Sequence, residues 1–283
     1  MGQLGQPGAM TAMTAMTMVA DQTVLYAVEQ GVATITLNRP ARRNALTPAM
    51  LQALQAHVMQ AGQAADVRAV LITGAGQGFC AGQDLSIFAG TTEPTAVRDL
   101  VYDVVLTYYR PLIESICQLE KPVVAAINGV AAGAGASLAL ACDLRMMADD
   151  ASLLLAFSNI GLVPDAGASW FLTRLVGYSR AYAIAISGER VPATRCLELG
   201  LTNRVTASTT LLTEAQGWAQ ALAQRPTVAL GLTKRVMQQA TQQDLSAILV
   251  AEAELQARAA MTADHREGVA AFVEKRTPIF TGR

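Results

Sequence analysis

The stretch from Lys121 to Asp143, KPVVAAINGVAAGAGASLALACD, most constrains what this chain can fold into. Its first apolar run, Val123 to Ile127, is rich in β-branched residues and predicts a buried strand. Residues 129–135 then predict a turn with almost no side chains, and residues 136–141 a helix that is apolar on every face. Because such a helix must be buried, its first turn places unpaired backbone N–H groups in the protein interior. Donors of this kind can stabilise a negative oxygen atom that develops during a reaction.

Two other interpretations of this stretch have to be weighed. Small residues also allow a helix to pack tightly against a sheet without any ligand. The segment from Pro122 to Cys142 carries no charge and is long enough to span a bilayer. Asn128 and the glycine turn interrupt that segment, however, and alanine and glycine are only weakly hydrophobic. The sequence therefore favours a buried strand, turn and helix over a membrane span.

The length and the charge of the chain restrict the class of protein. With 283 residues, the chain suits one large domain, or a domain with an appendage. Its net charge is −1 and charges of both signs are interspersed, so no surface for nucleic acid is predicted. Residues 1–21 have low complexity, with a repeated Thr-Ala-Met, and they lack the pattern of a secretory signal. We expect them to form a flexible tail outside the fold.

The cysteine and histidine residues predict neither disulfides nor a metal site. Four cysteines lie far apart and form no CxxC pair: Cys80, Cys117, Cys142 and Cys196. Each lies in or beside an apolar segment, so reduced, buried thiols of a cytoplasmic protein are expected. His57 and His265 lie in polar, helical surroundings and have no second ligand at metal-binding spacing.

Strand and helix patterns alternate along the chain, which predicts an α/β fold. Two β-rich runs, at 23–28 and 32–37, are joined by a glycine turn typical of a hairpin. A buried strand is predicted at 67–73 and a long helix at 96–119.

The pattern changes in the last quarter of the chain. From residue 210 onward it is helical and rich in Ala, Gln and Leu, without a cluster of charges. We therefore predict that 22–209 form the core with the active site. Residues 210–283 are predicted to form a helical region for packing or subunit contact.

A second glycine-rich segment, GAGQGFCAGQDL at 74–85, follows the strand predicted at 67–73. If it were only a flexible loop, Phe79 and Cys80 would be exposed apolar groups without a reason. A loop whose backbone approaches a ligand explains the glycines and the apolar residues together. The spacing matches neither the dinucleotide-binding pattern nor the P-loop pattern.

Asp165 is the acidic residue that stands out. It follows Pro164 and precedes Ala-Gly-Ala, in a segment without other charges until Arg174. An aspartate before a helix is commonly an N-cap. Alternatively, Asp165 is a carboxylate in an apolar pocket, with its pKa raised so that it can accept and return a proton near neutral pH. The two roles are compatible with each other.

Several long motifs, in the same order, resemble those of the crotonase (enoyl-CoA hydratase/isomerase) superfamily. They are NRPARRNAL, GQGFCAGQDL, INGVAAGAGASLALACDLRMMA, IGLVPDAGASWFL and REGVAAFVEKRTPIFTGR, and together they span about residues 22–283. The resemblance implies a crotonase-like spiral of ββα units, with C-terminal helices that make a trimer, often doubled to a hexamer. It also implies an acyl-CoA thioester substrate whose carbonyl oxygen is held by two backbone N–H groups.

The motifs also imply which residues form the site. By motif, one N–H donor is Ala81 and the other is Ala134, with Gly133 as its neighbouring alternative. The residues implied in CoA binding are Arg43, Ala81, Gly82, Gln83, Asp84, Gly133 and Lys275.

The chain departs from the hydratases of this family at two positions. Those enzymes activate water with two glutamates, and the aligned positions hold Ser137 and Phe157. Isomerases of the family often place an aspartate where Asp165 stands. The resemblance therefore implies an acyl-CoA isomerase in which one carboxylate removes a proton and returns it at another carbon. Such a step moves a double bond or opens an epoxide.

Three alternatives remain open. The chain could be a Δ3,Δ2-enoyl-CoA isomerase of fatty-acid oxidation, because the same aspartate serves that reaction. It could be an enoyl-CoA hydratase with another base. It could also be a non-catalytic acyl-CoA-binding member, which would keep the N–H donors but tolerate loss of Asp165. No metal or redox cofactor is expected, since coenzyme A is part of the substrate.

Overall fold

The computed structural model describes residues 22–283, and the tail predicted at 1–21 lies outside the described residues. Two sheets form the centre of the fold. The larger sheet contains, in spatial order, β1 (Val24–Glu29), β2 (Val32–Leu37), β3 (Ala69–Gly74), β5 (Val123–Ile127), β7 (Leu144–Ala148) and β10 (Arg204–Thr206). The smaller sheet contains β4 (Gly78–Cys80), β6 (Val130–Ala132), β8 (Ser152–Leu154) and β9 (Arg190–Pro192).

Helices pack around the two sheets. They are α1 (Pro48–Gln63), α2 (Pro94–Val104), α3 (Arg110–Gln118), α4 (Ala134–Ala141), α5 (Ala168–Val176), α6 (Tyr178–Ser187), α7 (Ala193–Glu198), α8 (Leu211–Ala223), α9 (Thr227–Ala240), α10 (Leu245–Ala260) and α11 (Ala263–Glu274). Within residues 22–283, no helix has both the length and the apolar character needed to cross a bilayer. The mixture of strands and helices confirms the predicted α/β class.

The connection between the two sheets repeats along the chain. β3, β5 and β7 lie parallel to one another in the larger sheet. Each continues within a few residues into β4, β6 or β8, which lie parallel in the smaller sheet, and helical segments follow each pair. β3 and β5 are buried along their whole length, as expected of parallel strands that are covered on both faces. This repeat confirms the predicted spiral of ββα units.

The two glycine-rich segments contain more regular structure than the sequence indicates. Residues 74–85 are predicted as a loop and residues 129–135 as a turn, but they contain β4 and β6, which pair with each other. Each of these strands has only three residues. A strand of that length is too short to produce a recognisable alternation of apolar and polar residues.

The helix predicted at 96–119 is interrupted. A π-helical turn, Val105–Tyr109, joins α2 to α3. The Arg110 N–H donates to the carbonyl of Val105, five residues back instead of four. Pro111 explains the wider turn, because its nitrogen carries no hydrogen and would leave a carbonyl of the preceding turn without its helical donor. The turn brings Tyr109 into the protein interior, where its side chain is almost fully buried.

The C-terminal helices attach to the core in two ways. α8 packs its buried, alanine-rich face on the larger sheet. α9 is held by Lys234, whose Nζ lies 2.9 Å from a carboxylate oxygen of Asp143 and donates to the Ile116 carbonyl at 2.8 Å. α8 therefore belongs to the layer that covers the core, although it follows residue 209. The division into 22–209 and 210–283 stays a prediction.

α10 and α11 leave large apolar side chains exposed. They include Leu245, Leu249, Val250, Phe272 and Val273. Where such side chains form one contiguous patch, they commonly mark an interaction site. The trimer or hexamer that the sequence resemblance implies stays a prediction.

Candidate active site

The segment from β4 to Gly82 and the segment from β6 into α4 approach each other so closely that only glycine fits at the contacts. A Cβ atom on Gly135 would lie 2.4 Å from the Cys80 carbonyl oxygen, and one on Gly82 would lie 2.8 Å from that of Ala132. Both separations are too short for a carbon and an oxygen atom that are not bonded. Gly82 also has a φ of +91°, which other residues rarely adopt. The glycines of the two motifs therefore bring two main-chain segments side by side.

Asn44 holds the first of these segments in place. Its side chain is fully buried, and its Nδ2 lies 2.8 Å from the carbonyl oxygen of Gly78 and 3.0 Å from that of Ala75. Its Oδ1 accepts from the Arg39 N–H at 2.8 Å. Asn44 has a φ of +57°, a conformation that asparagine adopts more often than most residues. The sequence does not reveal this role, because an asparagine in a loop has the same pattern whether it is buried or exposed.

Two of the main-chain N–H groups that have no acceptor among residues 22–283 lie where these segments meet. One belongs to Gln83, whose neighbours in the chain pair with Leu46. The Leu46 N–H donates to the Gly82 carbonyl at 2.7 Å, and its carbonyl accepts from the Asp84 N–H at 2.9 Å. The other belongs to Ala134, the first residue of α4, which has no acceptor within its own helix. A Cβ on Gly82 would lie 3.4 Å from the Ala134 nitrogen, so the two donors are close neighbours.

The first donor predicted from the motif, Ala81, is not available. Its N–H donates to the Arg43 carbonyl at 2.9 Å, so it cannot serve a substrate oxygen without losing that bond. Gly133, the alternative for the second donor, is occupied in the same way, because its N–H donates to the Leu154 carbonyl at 2.8 Å. The motif identifies the loop correctly as a place of close backbone approach. It does not show which amide of that loop remains unpaired, because the pairing partners lie in other parts of the chain.

The carboxyl group of Asp165 lines the same cavity as these two amides. Its Oδ1 atom is buried and has no hydrogen-bond partner among the described residues. The turn that presents it has positive φ values of +47° at Ala166 and +83° at Gly167. The N-cap position of α5 is Gly167, and no side chain caps this helix. The interpretation of Asp165 as a helix cap is therefore wrong, and the interpretation as a carboxyl group at a pocket agrees with its position.

Burial alters the acidity of this carboxyl group. It raises the pKa of Asp165 from 3.8 to about 6, while the main-chain N–H of the same residue offsets part of the rise. The physical cause is that a charged carboxylate loses its hydration in apolar surroundings. A group with this pKa can accept and release a proton near neutral pH.

Of the two residues at the hydratase glutamate positions, one lines the cavity of Asp165 and the other bonds to the Asp165 main chain. Phe157 is nearly buried and lines the cavity. Ser137 is fully buried in α4, and its Oγ lies 3.0 Å from the Asp165 carbonyl oxygen and 3.3 Å from that of Gly133. Neither side chain has a carboxylate that could activate water. Ser137 instead links the turn that carries Asp165 to the helix that begins at Ala134.

The cavity has a volume of about 200 Å³ and is mainly apolar. Its walls come from the segment after β4, from α2 and the π-helical turn, and from the segment after β8. The apolar side chains that line it include Leu85, Ile87, Phe88, Val101, Val104, Val105, Phe157, Ile160 and Leu162. Among the described residues that line it, Asp165 carries the only charge. The cavity therefore suits an uncharged, apolar group.

The residues predicted to bind CoA occupy different positions relative to this cavity. Gly82, Gln83 and Gly133 line it, as does Ala81. The side chains of Arg43 and Lys275 are exposed and do not line it. Lys275 lies at the end of α11, in a left-handed backbone conformation. The tertiary structure of one chain therefore brings together the glycine-loop residues and leaves these two cations outside the cavity.

Asp84 has a local structural role. Its carboxylate lies 2.9 Å from the Arg39 guanidinium and accepts from the Ser86 N–H at 3.1 Å. These contacts, with Ser86 first and then Arg39, lower the pKa of Asp84. Asp84 does not line the cavity. These contacts fix the loop that carries the Gln83 amide, and the predicted part of Asp84 in CoA binding stays a prediction.

The thiol closest to the glycine loop is not reactive. All four cysteines are free, and Cys80 is fully buried. Burial raises the pKa of Cys80 to about 12, so the nucleophilic thiolate does not form near neutral pH. Within residues 22–283, no three His, Cys, Asp or Glu side chains form a group that could hold a metal ion.

Comparison with known proteins places the chain among relatives that act on CoA thioesters. A family model described as enoyl-CoA hydratase/isomerase matches residues 27–283. The 1,2-epoxyphenylacetyl-CoA isomerase of Escherichia coli is 42% identical over 260 residues, covering 92% of this chain and 98% of the relative. The 2,3-dehydroadipyl-CoA hydratase of the same organism is 36% identical, covering 90% and 97%. A crystal structure of enoyl-CoA hydratase from Bacillus anthracis superposes with a TM-score of 0.86 at 36% identity, covering 93% of this chain and 100% of that one.

Proposed function

Because the chain belongs to the enoyl-CoA hydratase/isomerase (crotonase) family, we propose that it is an acyl-CoA isomerase that works through a thioester enolate. The proposed substrate is 2-(1,2-epoxy-1,2-dihydrophenyl)acetyl-CoA, as in phenylacetate degradation. One observation carries this proposal: two open main-chain N–H groups share a cavity with a single buried carboxyl group. Serine and phenylalanine stand at the two positions where hydratases have glutamate.

The N–H groups of Gln83 and Ala134 hold the thioester carbonyl oxygen in this proposal. When a proton leaves the α-carbon, negative charge develops on that oxygen. Donors that are already oriented stabilise the charge, and they are most effective where water is excluded. In enzymes from which one such donor has been removed, the loss is about 2.7–4 kcal/mol of transition-state stabilisation.

Asp165 moves the proton. As a carboxylate it removes a proton from the α-carbon, and the electrons of the C–H bond pass to the carbonyl oxygen. The protonated carboxyl group then returns the same proton at another carbon. With a ring epoxide beside the α-carbon, the C–C bond shared by the two rings opens to the seven-membered oxepin, with both C–O bonds kept. The proton lost from the α-carbon is returned to a ring carbon, which leaves a double bond between the α-carbon and the ring. Substrate and product have the same composition, so the reaction consumes no oxidant or reductant.

The cavity supports a compact, uncharged acyl group. An apolar cavity of roughly 150 Å³ accommodates benzene, and the cavity here measures about 200 Å³. Phe88 and Phe157 contribute aromatic walls. A carboxylate at the end of the acyl chain would meet no cationic side chain in the cavity, and it would meet the like charge of Asp165. These features favour the ring epoxide over a dicarboxylic acyl chain.

The remaining part of the proposal concerns CoA and assembly. Arg43 and Lys275 contact the CoA phosphates, since both are exposed cations outside the acyl cavity. The C-terminal helices form a trimer, or a hexamer made of two trimers, which covers the apolar side chains exposed on α10 and α11.

An assay with four CoA esters tests the proposed function. The purified chain is incubated with enzymatically made epoxyphenylacetyl-CoA, 3-hexenoyl-CoA, crotonyl-CoA and 2,3-dehydroadipyl-CoA. Products are separated from substrates by liquid chromatography and identified by their mass and ultraviolet absorption. We expect rapid conversion of the epoxide to a product of unchanged mass. We expect little gain of water by crotonyl-CoA or 2,3-dehydroadipyl-CoA, because no second carboxylate is placed to activate it.

Each outcome of this assay has a separate meaning. Rapid hydration of crotonyl-CoA would contradict the isomerase assignment. Conversion of 3-hexenoyl-CoA without conversion of the epoxide would favour a fatty-acyl Δ3,Δ2-enoyl-CoA isomerase. Binding of all four esters without any turnover would favour a non-catalytic acyl-CoA-binding protein.

The pH dependence of the reaction follows from the acidity of Asp165. The free enzyme needs this group in its charged form, and burial raises its pKa to about 6. We therefore expect kcat/KM to be constant above this pH and to fall about tenfold per pH unit below it. A pH series of initial rates on the epoxide measures the profile. Activity that stays constant down to the ordinary pKa of an aspartate would show that the base is not a buried carboxylate.

A further inference from the structure

Tyr109 is a polar residue of the cavity that the proposed reaction does not use. The π-helical turn before Pro111 directs it inward, and its side chain is only 2% exposed. Its hydroxyl donates to Oε1 of Gln83 at 2.7 Å. Burial raises the pKa of Tyr109. The hydroxyl therefore stays protonated, and its one proton is committed to Gln83.

The Gln83 side chain would otherwise be free to move. The main chain on either side of Gln83 is held by Leu46. The side-chain Nε2 has only a long contact of 3.4 Å, to the Asp84 carbonyl. The bond from Tyr109 is therefore the main contact that fixes the orientation of this flexible amide.

An unattached Gln83 side chain would lie next to two unsatisfied donors. The N–H groups of Gln83 and Ala134 have no acceptor among the described residues. Buried N–H groups gain free energy by pairing with any acceptor within reach. The Oε1 atom of Gln83 is an acceptor on a rotatable side chain beside them. If it turned towards these donors, it would occupy the place of the substrate oxygen.

We propose that Tyr109 is a positioning residue that keeps the oxyanion hole open, by binding Gln83 Oε1 so that this atom does not pair with the Gln83 and Ala134 N–H groups. This inference rests on the proposed function, because it assumes that the two N–H groups receive the thioester oxygen. On this proposal, the interruption of the helix before Pro111 also serves the site, because an uninterrupted α-helix would point the side chain of residue 109 in another direction.

The test measures polarisation of a bound thioester in the Tyr109→Phe variant. The ligand is phenylacetyl-CoA labelled with ¹³C at the carbonyl, and the readout is its isotope-edited infrared carbonyl band. In the wild type, we expect the band to move to lower frequency on binding. In Tyr109→Phe, we expect at least half of this shift to be lost. We also expect kcat on the epoxide to fall about three- to tenfold, with a much smaller change in KM, from the loss of one hydrogen bond.

Two further variants separate this role from a general loss of packing. Tyr102→Phe is the matched control, because Tyr102 lies on α2 but is 64% exposed and does not line the cavity. It is expected to match the wild type in every readout. The double variant Tyr109→Phe with Gln83→Met has no side-chain oxygen that could enter the hole. It is expected to recover most of the infrared shift and of kcat relative to Tyr109→Phe.

The outcomes distinguish this inference from the proposed function. A wild type without any carbonyl shift would overturn the oxyanion hole itself. A wild-type shift that is unchanged in Tyr109→Phe would overturn the role of Tyr109 alone. A double variant as impaired as Tyr109→Phe would also overturn it, because the defect would then not act through the Gln83 oxygen. Melting temperatures identify a variant that fails to fold. If Tyr109→Phe does so, Tyr109→Leu serves as a second variant that lacks the hydroxyl.

Discussion

Replacing Asp165 by asparagine is expected to lower kcat on epoxyphenylacetyl-CoA by about 10²- to 10⁴-fold, the usual contribution of a positioned acid–base group. Asparagine has nearly the same shape as aspartate but cannot carry the proton. Binding of the CoA ester should change little, because the substitution keeps the shape of the side chain. The other side chains that line the cavity are uncharged, so none of them loses an ion-pair partner. The measurements are initial rates on the epoxide and calorimetric titration with phenylacetyl-CoA.

The same variant is expected to be more stable than the wild type at pH 7. Burial raises the pKa of Asp165 from 3.8 to about 6, so the folded protein binds this proton more tightly than the unfolded chain does. The contribution of this group to stability is therefore highest below its unfolded pKa. It falls as pH rises from 3.8 to about 6, and it is constant above that range. Removing the charge should raise the free energy of unfolding by about 1–3 kcal/mol at pH 7 and by less at pH 4. Urea titrations at the two pH values measure the difference.

Asp150→Asn is the control for both effects. Asp150 is exposed in the turn after β7 and does not line the cavity. We expect this variant to match the wild type in turnover and in the pH dependence of stability. Equal turnover of Asp165→Asn and Asp150→Asn would mean that another group carries the proton.

Replacing Ala134 by proline is expected to lower kcat/KM by at least about 10²- to 10³-fold, the loss found when one donor to a developing oxyanion is removed. Proline is tolerated at the first position of a helix, where the N–H has no acceptor within the helix. Ala134 is the first residue of α4, so the substitution removes the proposed donor and spares the helical hydrogen bonds. The proline ring also occupies part of the space that the thioester oxygen needs. Steady-state kinetics on the epoxide measure the effect.

Leu245→Pro is the matched control for this substitution. Leu245 is the first residue of α10, is 74% exposed, and follows a residue in extended conformation, which favours proline at the next position. We expect Leu245→Pro to retain wild-type kinetics and the infrared carbonyl shift, and Ala134→Pro to lose both. If Ala134→Pro folds and keeps the carbonyl shift, the Ala134 N–H is not a donor to the thioester.

Local patterns in the sequence predict most of the fold. Buried strands such as β3 and β5 are continuous apolar runs, and α4 is apolar on every face. These signals are strong because burial on all sides leaves no polar residue in the pattern. The interruption of the helix at 105–109 is missed. The proline that causes it is visible, but proline in a helix allows either a break or a wider turn.

The site is predicted less completely than the fold. The sequence identifies the glycine loop, the start of α4 and Asp165, because each has an unusual composition for its surroundings. It assigns the first donor to Ala81, whereas the unpaired amide is that of Gln83. The Ala81 and Gln83 amides differ only in whether a carbonyl oxygen from another part of the chain lies within hydrogen-bond distance.

The sequence by itself determined which segments are buried, which turns require glycine, and that a lone aspartate stands in an apolar segment. Those properties depend on neighbours in the chain. Only the tertiary structure decided which N–H groups remain open, how far the Asp165 pKa rises, and that Tyr109 holds the Gln83 side chain. Each of these depends on atoms that are distant in the sequence, because hydrogen-bond partners and loss of hydration are set by packing.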